Sequence, residues 1–449
     1  MSDSSATATP GNGIAATTVR EHLVMPLWAL TVFLVVMNTT MFNVALPSVS
    51  GEFHLTASAS SWIVTGYSIV FAIATITFSR LTDFVPIRRL LLIGVSLFFF
   101  ASMVGVFAHN FYLLMAARLL QAAGAACAPG VSAVFAARYI PIERRGKSMS
   151  MISSAASLGF GLGPVIGGAV TETLGWNFLF AVSACVLLLL PFFLKWLPRE
   201  QAQPLRFDIV GGLLLGAGVT GALLFLTTFH WGWLVGSVLS LALCWLRINR
   251  FDPPFVQPRL LKNGPYLRII FMCFAAFFTH FASLFVMPIL LAKLFDKNAA
   301  EIGLMIFPGA MLSAVAARYI GRMIDRFGNA PLMRVGHLLL LLSTVLLATT
   351  SSLSPYMVLV SYLFMSVGFS TTTSALTNEI SRRLPKDDIG TGMGMAQLIQ
   401  FFGGAFGVSV CGLLLATGLE YRMAFWLLTG LLTASFVMFL RYRKYSRSL

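Results

Sequence analysis

The sequence predicts an all-α polytopic membrane protein of two six-helix halves with two further helices inserted between them. Three observations lead there: the composition, the spacing of apolar runs, and a short loop motif that occurs twice. Of 449 residues, 57% are hydrophobic and only 10% charged, against about 25% charged in an ordinary soluble domain. This composition excludes a disordered chain, a collagen, a disulfide scaffold and most soluble enzymes.

A bilayer-spanning helix needs about 20 mainly apolar residues. Fourteen runs of roughly that kind are found, at 24–46, 60–79, 90–108, 111–136, 149–171, 176–197, 208–229, 231–246, 267–292, 302–320, 334–350, 354–376, 391–417 and 422–440. Residues 1–22, rich in Ser, Thr, Ala and Gly, read as a disordered cytoplasmic tail without a signal-peptide pattern. Residues 23–200 then form the N-terminal half, 201–265 the two-helix insert with a cytoplasmic linker, and 266–449 the C-terminal half.

The net charge of +15 is topological. With both termini in the cytoplasm, 27 of the 31 Lys and Arg fall in cytoplasmic segments, Lys293, Lys297 and Arg422 outside, and Arg118 alone within a span. That bias fixes the orientation and indicates a multi-pass plasma-membrane protein. It also excludes nucleic acid as a partner, which needs basic residues clustered on a soluble face. The cysteines Cys127, Cys185, Cys244, Cys273 and Cys411 lie in or at the ends of apolar runs with no CxxC pair. They read as small packing residues, with no disulfide, metal or cofactor implied.

The loop after the second run reads Ser79-Arg80-Leu81-Thr82-Asp83-Phe84-Val85-Pro86-Ile87-Arg88-Arg89, and the loop after the tenth reads Gly321-Arg322-Met323-Ile324-Asp325-Arg326-Phe327-Gly328. Each sets an acid four residues after a small residue, among arginines. The repeat divides the chain into parallel halves, the pattern of a rocking transporter with its site at their interface. A carboxylate there can accept from a neighbouring helix N-terminus and pair with Arg. Asp83, Arg88, Arg89, Asp325 and Arg326 are therefore expected to form conformational latches.

In the fifth run, Gly159, Gly163 and Gly167 are four apart and share a helix face suited to close backbone approach. Pro164 removes a donor and is expected to bend the helix. Arg118 lies some eight residues into the fourth run, about 12 Å deep, with Gln121 on the same face. A charge at that depth faces a bundle interior or an aqueous cavity.

Together these features resemble the major facilitator superfamily, and more narrowly its fourteen-helix drug:proton antiporters. Asn38-Thr39-Thr40-Met41-Phe42-Asn43-Val44-Ala45-Leu46-Pro47 is similar to that family's first-helix signature. Residues 79–89 resemble the superfamily's helix 2–3 motif, Arg118 with Gln121 and Gly124 its helix 4 motif, and 159–168 the helix 5 antiporter motif associated with export. The stretch Arg138–Lys147, Phe207-Asp208-Ile209, Glu301-Ile302-Gly303 and Phe307-Pro308-Gly309 resemble the tetracycline/metal efflux branch. The resemblance implies a major facilitator fold and export of small amphiphilic drugs or antibiotics by alternating access and proton antiport. It implies a monomer in the lipid bilayer that takes a small-molecule substrate and protons.

Departures from the pattern shape that reading. Asn38 stands where the signature has a membrane acid, Thr39 and Phe160 where the branch has Glu, and every acidic residue falls outside mid-membrane positions. The remaining coupling candidates are Asp83, Asp325, Asp208, Glu379, Glu172 and His280, with Arg118 and Gln121; His280 titrates in the useful pH range. Asn38, Asn43, Gln397 and Gln400 are expected as polar liners of a cavity rich in the chain's 39 Phe and 20 Met. The missing carboxylates leave a second reading, a dedicated exporter of one metabolite, siderophore or peptide-like product. An enzyme is not expected: no HExxH pair or cluster of membrane carboxylates is present.

Overall fold

A computed structural model describes residues 20–55, 57–200, 208–251, 254–297, 299–385, 388–416 and 420–447. Most of the expected tail, Arg206, Phe207, Asp252, Lys386 and Asp387 lie outside the described residues. Regular structure among the described residues is helical. The N-terminal half holds α1 (Glu21–Glu52), α2 (Ala57–Leu81), α3 (Ile87–Val106), α4 (Phe111–Ala125), α5 (Cys127–Tyr139), α6 (Ile142–Thr173), α7 (Phe178–Ala184) and α8 (Leu190–Trp196). The insert holds α9 (Ile209–Thr228), α10 (Trp231–Ile248) and α11 (Pro258–Lys262). The C-terminal half holds α12 (Gly264–Phe295), α13 (Ala299–Phe327), α14 (Asn329–Thr350), α15 (Pro355–Arg383), α16 (Ile389–Ala416) and α17 (Tyr421–Arg447).

Thirteen helical spans among the described residues are long and apolar enough to cross a membrane, each on one of the expected runs. The seventh run is α9, whose stretch Ile209–Ala222 is shorter. The fourth run is divided at Ala126 into α4 and α5. Pro129 has no N–H to offer the Ala125 carbonyl, which favours a break there. The sixth run is likewise divided, by a 3-10 turn over Cys185–Leu189, with Pro191 in the first turn of α8. α6 continues as one helix through Pro164. Polar side chains close several helix N-termini: Asn110 accepts from Leu113 N at 2.9 Å and Asn263 from Tyr266 N at 3.1 Å.

Small residues set the packing. A Cβ placed on Gly159, Gly163 or Gly167 of α6 would sit 2.8, 2.8 and 2.7 Å from the carbonyl oxygens of Phe33, Met37 and Met41 of α1. Two parallel helices thus meet in register, every fourth residue, backbone on backbone. The opposite side of α6 runs antiparallel to α13, with Gly161 against Ala310, Gly303 against Val165 and Gly321 against Lys147. This is one seam between the halves. The other is formed by α2 and α5 on α16: Gly394 lies against Ser79 and Phe71 edge-on to Phe401.

The insert covers that second seam. Phe255, Val256, Cys244 and Ile248 of the insert form one buried cluster with Ala72 and Ile76 of α2 and Leu398 of α16. Within the insert, Ser237 and Ser240 donate to the carbonyls of Gly218 and Leu214, each at 2.7 Å.

Each half is also tied, at the end that carries its loop motif, by a tyrosine–glutamate pair. In the N-terminal half Glu200 accepts from Tyr139 of α5 and from the Ile87 N–H of α3. In the C-terminal half Glu379 of α15 accepts from Tyr442 of α17 and from Asn329 of α14. The loop repeat has a spacing of 242 residues, from Asp83 to Asp325; the same spacing carries Ile87 to Asn329 and Glu200 to Tyr442. The pair recurs with tyrosine where the first half has Glu200, while Tyr139 advanced by the same spacing falls on Ser381, two residues past Glu379.

Candidate substrate cavity and latches between the halves

The two loop acids meet the opposite half. Asp325, at the end of α13, accepts from the backbone N–H of Gly146 at 2.8 Å and of Lys147 at 3.1 Å, near the start of α6. A Cβ on Gly146 would lie 2.9 Å from Ile324 Cβ, so the approach needs a glycine. Asp83 lies against Gly390 at the start of α16 and accepts from Thr391 Oγ1 at 3.3 Å. Each half therefore lays its carboxylate on the positive end of a helix of the other half.

The arginines at these latches are not the expected ones. Asp83 pairs with Arg80 of α2 and Arg138 of α5, each at 2.5 Å, and Arg138 also donates to Thr82 O at 2.6 Å. Arg88 is half-buried and Arg89 exposed in the first turn of α3. Arg326 is exposed, with its guanidinium 5.2 Å from the Phe327 ring. The turn Thr82–Val85 carries the chain away from Asp83, so an arginine 55 residues further on reaches the carboxylate. Burial pushes the Asp83 carboxyl above its usual range, outweighing the lowering effect of Arg138 and Arg80. Further bonds join the halves on this side: Arg145 Nη1 to Ser381 O at 3.2 Å, Arg382 Nη2 to Ile142 O at 3.1 Å, and Ser150 Oγ to Ala317 O at 3.1 Å.

Above the latches a cavity of about 70 Å³ lies between the halves. Val32 and Val36 of α1, Pro129 and Ala133 of α5, and Met149, Ile152, Ser153, Ala156 and Phe160 of α6 line it from one side. Phe277 of α12, Phe369, Thr373 and Thr377 of α15, and Gln397, Gln400 and Phe401 of α16 line it from the other. Ligand pockets commonly measure about 300–1,000 Å³, so this is a contracted arrangement that must widen to admit a substrate. Gln397 Nε2 donates to Pro129 O across the seam at 2.6 Å, and its Oε1 is buried with no hydrogen-bond partner among the described residues.

Gln397 and Gln400 were expected at the cavity and line it. Asn38 does not: it is fully buried inside the N-terminal half, where it accepts from Arg118 Nη1 at 3.0 Å and donates to Ser183. Asn43, further along α1, is exposed and lies outside the lining. Arg118 is fully buried, held between the rings of Phe42 and Tyr67 with each centroid 4.0 Å from its guanidinium carbon. It also donates to Gln121 Oε1 at 2.8 Å, and Gln121 Nε2 donates to Ser102 Oγ at 2.9 Å. No acid pairs with Arg118 among the described residues.

His280 of α12 is fully buried behind the cavity wall. Its ring stacks on Phe369 with centroids 3.9 Å apart and planes 6° apart, and neither nitrogen has a partner among the described residues. Asp208 was expected near the cavity, but it belongs to the insert. It is 2% exposed, caps α9 through Gly211 N at 2.9 Å and pairs with Arg247 of α10 at 2.7 Å. Its carboxylate is used up in closing a helix start. Glu172 is exposed in the last turn of α6. Cys185 is exposed, not packed as expected, whereas the other four cysteines are buried.

Similar proteins share this architecture. The Clostridioides difficile riboflavin transporter RibZ is 24% identical, covering 90% of this chain and 91% of its own. The Mycobacterium tuberculosis multidrug resistance protein Stp is 26% identical over 87% of this chain and 75% of its own. The structure of the human organic anion transporter MFSD10 superposes with a TM-score of 0.73 at 18% identity, covering 94% of this chain and 99% of that one. The profile of the Major Facilitator Superfamily matches residues 28–209 and again 207–408. Helical halves, reciprocal latches and that double match place the chain in one family: it belongs to the Major Facilitator Superfamily, and is a membrane transporter.

Proposed function

We propose that this transporter exports small amphiphilic molecules by alternating access, driven by proton antiport, as a monomer in the plasma membrane with both termini in the cytoplasm. The observation that carries the reading is the cavity between the halves, lined from both sides and closed below by the reciprocal Asp83 and Asp325 latches. Opening the latches gives the cavity to the cytoplasm, where substrate enters. Re-forming them closes that side while the seam parts outside. The glycine register of α1 and α6 supports export, because the matching motif is associated with antiporters. The multidrug resistance protein among the relatives supports a drug-like substrate, tetracycline-like compounds included.

His280 is the proposed proton carrier. It is an imidazole with two unpartnered nitrogens directly behind the cavity residue Phe369. Asp83 is the second group, since its affinity for a proton depends on latch closure. The absence of a carboxylate from the cavity lining, with the riboflavin transporter among the relatives, favours a second reading: dedicated export of one metabolite.

Everted membrane vesicles with an imposed pH gradient and a pH-sensitive dye test the first reading. Added substrate is expected to dissipate the gradient in wild type and not in His280→Leu. A gradient indifferent to every compound of a broad drug panel rules out proton antiport. Resistance to several unrelated compounds in a pump-deleted host rules out the dedicated exporter.

A further inference from the structure

We infer that the cavity selects uncharged, planar aromatic molecules that present a hydrogen-bond donor to Gln397, and rejects permanent cations of the same shape. The inference rests on the reading of this cavity as the substrate site and narrows it to a chemical class. Three observations carry it. First, the lining contains no charged side chain: its polar groups are serine, threonine and the amides of Gln397 and Gln400. A cation entering such a cavity would leave its water without a counter-ion, and the attraction of a Phe face is weaker than that loss.

Second, Phe160, Phe277, Phe369 and Phe401 come from four different helices and both halves. Phe277 stands edge-on to Phe369 and to Phe401, with centroids 5.0 and 5.9 Å apart. When the halves part, Phe160 of the N-terminal half withdraws from the wall that the other three rings form, opening a slot suited to a flat ring system.

Third, Gln397 is 6% exposed and its Oε1 has no partner among the described residues, while its Nε2 is engaged by Pro129 O. The free valence is thus an acceptor, and an acceptor calls for an N–H or O–H on the ligand. The Nε2 bond crosses the seam, so a ligand that draws the Gln397 amide toward itself loosens the contact holding α5 to α16. Recognition and opening would then meet in one side chain.

Three tricyclic probes of one shape separate the possibilities: acridone (uncharged, one N–H), N-methylacridone (uncharged, no donor) and N-methylacridinium (cationic). Equilibrium dialysis against the full-length protein in lipid nanodiscs is expected to rank acridone about tenfold tighter than each of the others. Gln397→Leu is expected to bring acridone down to the level of N-methylacridone, and Gln397→Glu to admit N-methylacridinium. The inference is overturned if wild type binds the cation as well as acridone, if methylation of the nitrogen changes nothing, or if acridone does not bind. The wild-type ranking stands independently of how either variant folds. Vesicle export of cations with no acridone binding would sink this inference and leave the export reading intact. Acridone binding without export of any compound would do the reverse.

Discussion

Arg118 keeps a charge inside the bundle without an acidic partner among the described residues. Placing arginine at mid-helix costs about 2.5–3.5 kcal/mol on insertion scales. Two ring faces at about 0.5–2 kcal/mol each, with hydrogen bonds to a charged group at about 1.5–3 kcal/mol each, are enough to offset that. Phe42, Tyr67, Asn38 and Gln121 supply these contacts. Asn38 can therefore replace a membrane acid as the Arg118 partner without leaving the arginine stranded. Asp83 behaves differently. Burial in the latch raises its pKa, so the latched arrangement binds a proton more tightly than any in which water reaches the loop. Its contribution to latching is present in full at low pH and is lost as pH rises through the raised pKa. Spin labels at the exposed positions Arg89 and Pro385, in a Cys185→Ser background, report this. The short-distance population is expected to grow as pH falls through the raised Asp83 pKa, and to respond less to pH in Asp83→Asn. A population that shrinks on acidification would reverse the assignment.

At the scale of the element, α6 is clamped between α1 and α13 by residues with no side chain to spare. Overpacking of a close contact typically costs about 1–3 kcal/mol, and at Gly163 a side chain would meet both Thr40 Oγ1 and the Met37 carbonyl oxygen, which cannot swing aside. Gly163→Leu is expected to reach the membrane, melt several degrees lower in a detergent thermal-stability assay, and lose export. Full export in that variant would mean α1 and α6 need not stay in contact. This register was legible in the sequence, because a period of four among glycines fixes a helix face whatever the fold around it. The acids of the latches were legible for the same reason, through their repetition in two loops. Their partners were so only in part. Arg80, three residues before Asp83, does pair with it, but Arg138 and Thr391 reach it only through helix packing, and no local pattern ranks them above Arg88 and Arg89. The cavity divides the same way. Gln397 and Gln400 stood out as polar residues one helical turn apart, whereas no local pattern separates the four cavity phenylalanines from the other thirty-five. Asp208 misled for a related reason: at a run boundary, a coupling acid and an N-cap have the same appearance.

For the whole molecule, the proposed alternating access demands that the α6–α13 seam change its spacing on the side of the latches. Ser150 and Gly321 face each other there, since a Cβ on Gly321 would fall against Ser150 Oγ. Cysteines at both positions, with Cys185 replaced by serine, are expected to form a disulfide on oxidation, stop transport, and restore it on reduction. Transport that continues through the cross-link would place the moving seam elsewhere. What must not deform in that motion is each half itself, and here the pairs Tyr139–Glu200 and Glu379–Tyr442 set a constraint on the gene. Had one half been copied onto the other with its helix ends unchanged, tyrosine and glutamate would occupy matching positions. A hybrid that grafts the end of α17 in place of the segment after α8 would set Tyr442 against Tyr139, and the reciprocal graft would set Glu200 against Glu379. One hybrid lacks a carboxylate and the other confines two carboxylates together. The halves are alike in shape but no longer interchangeable in parts.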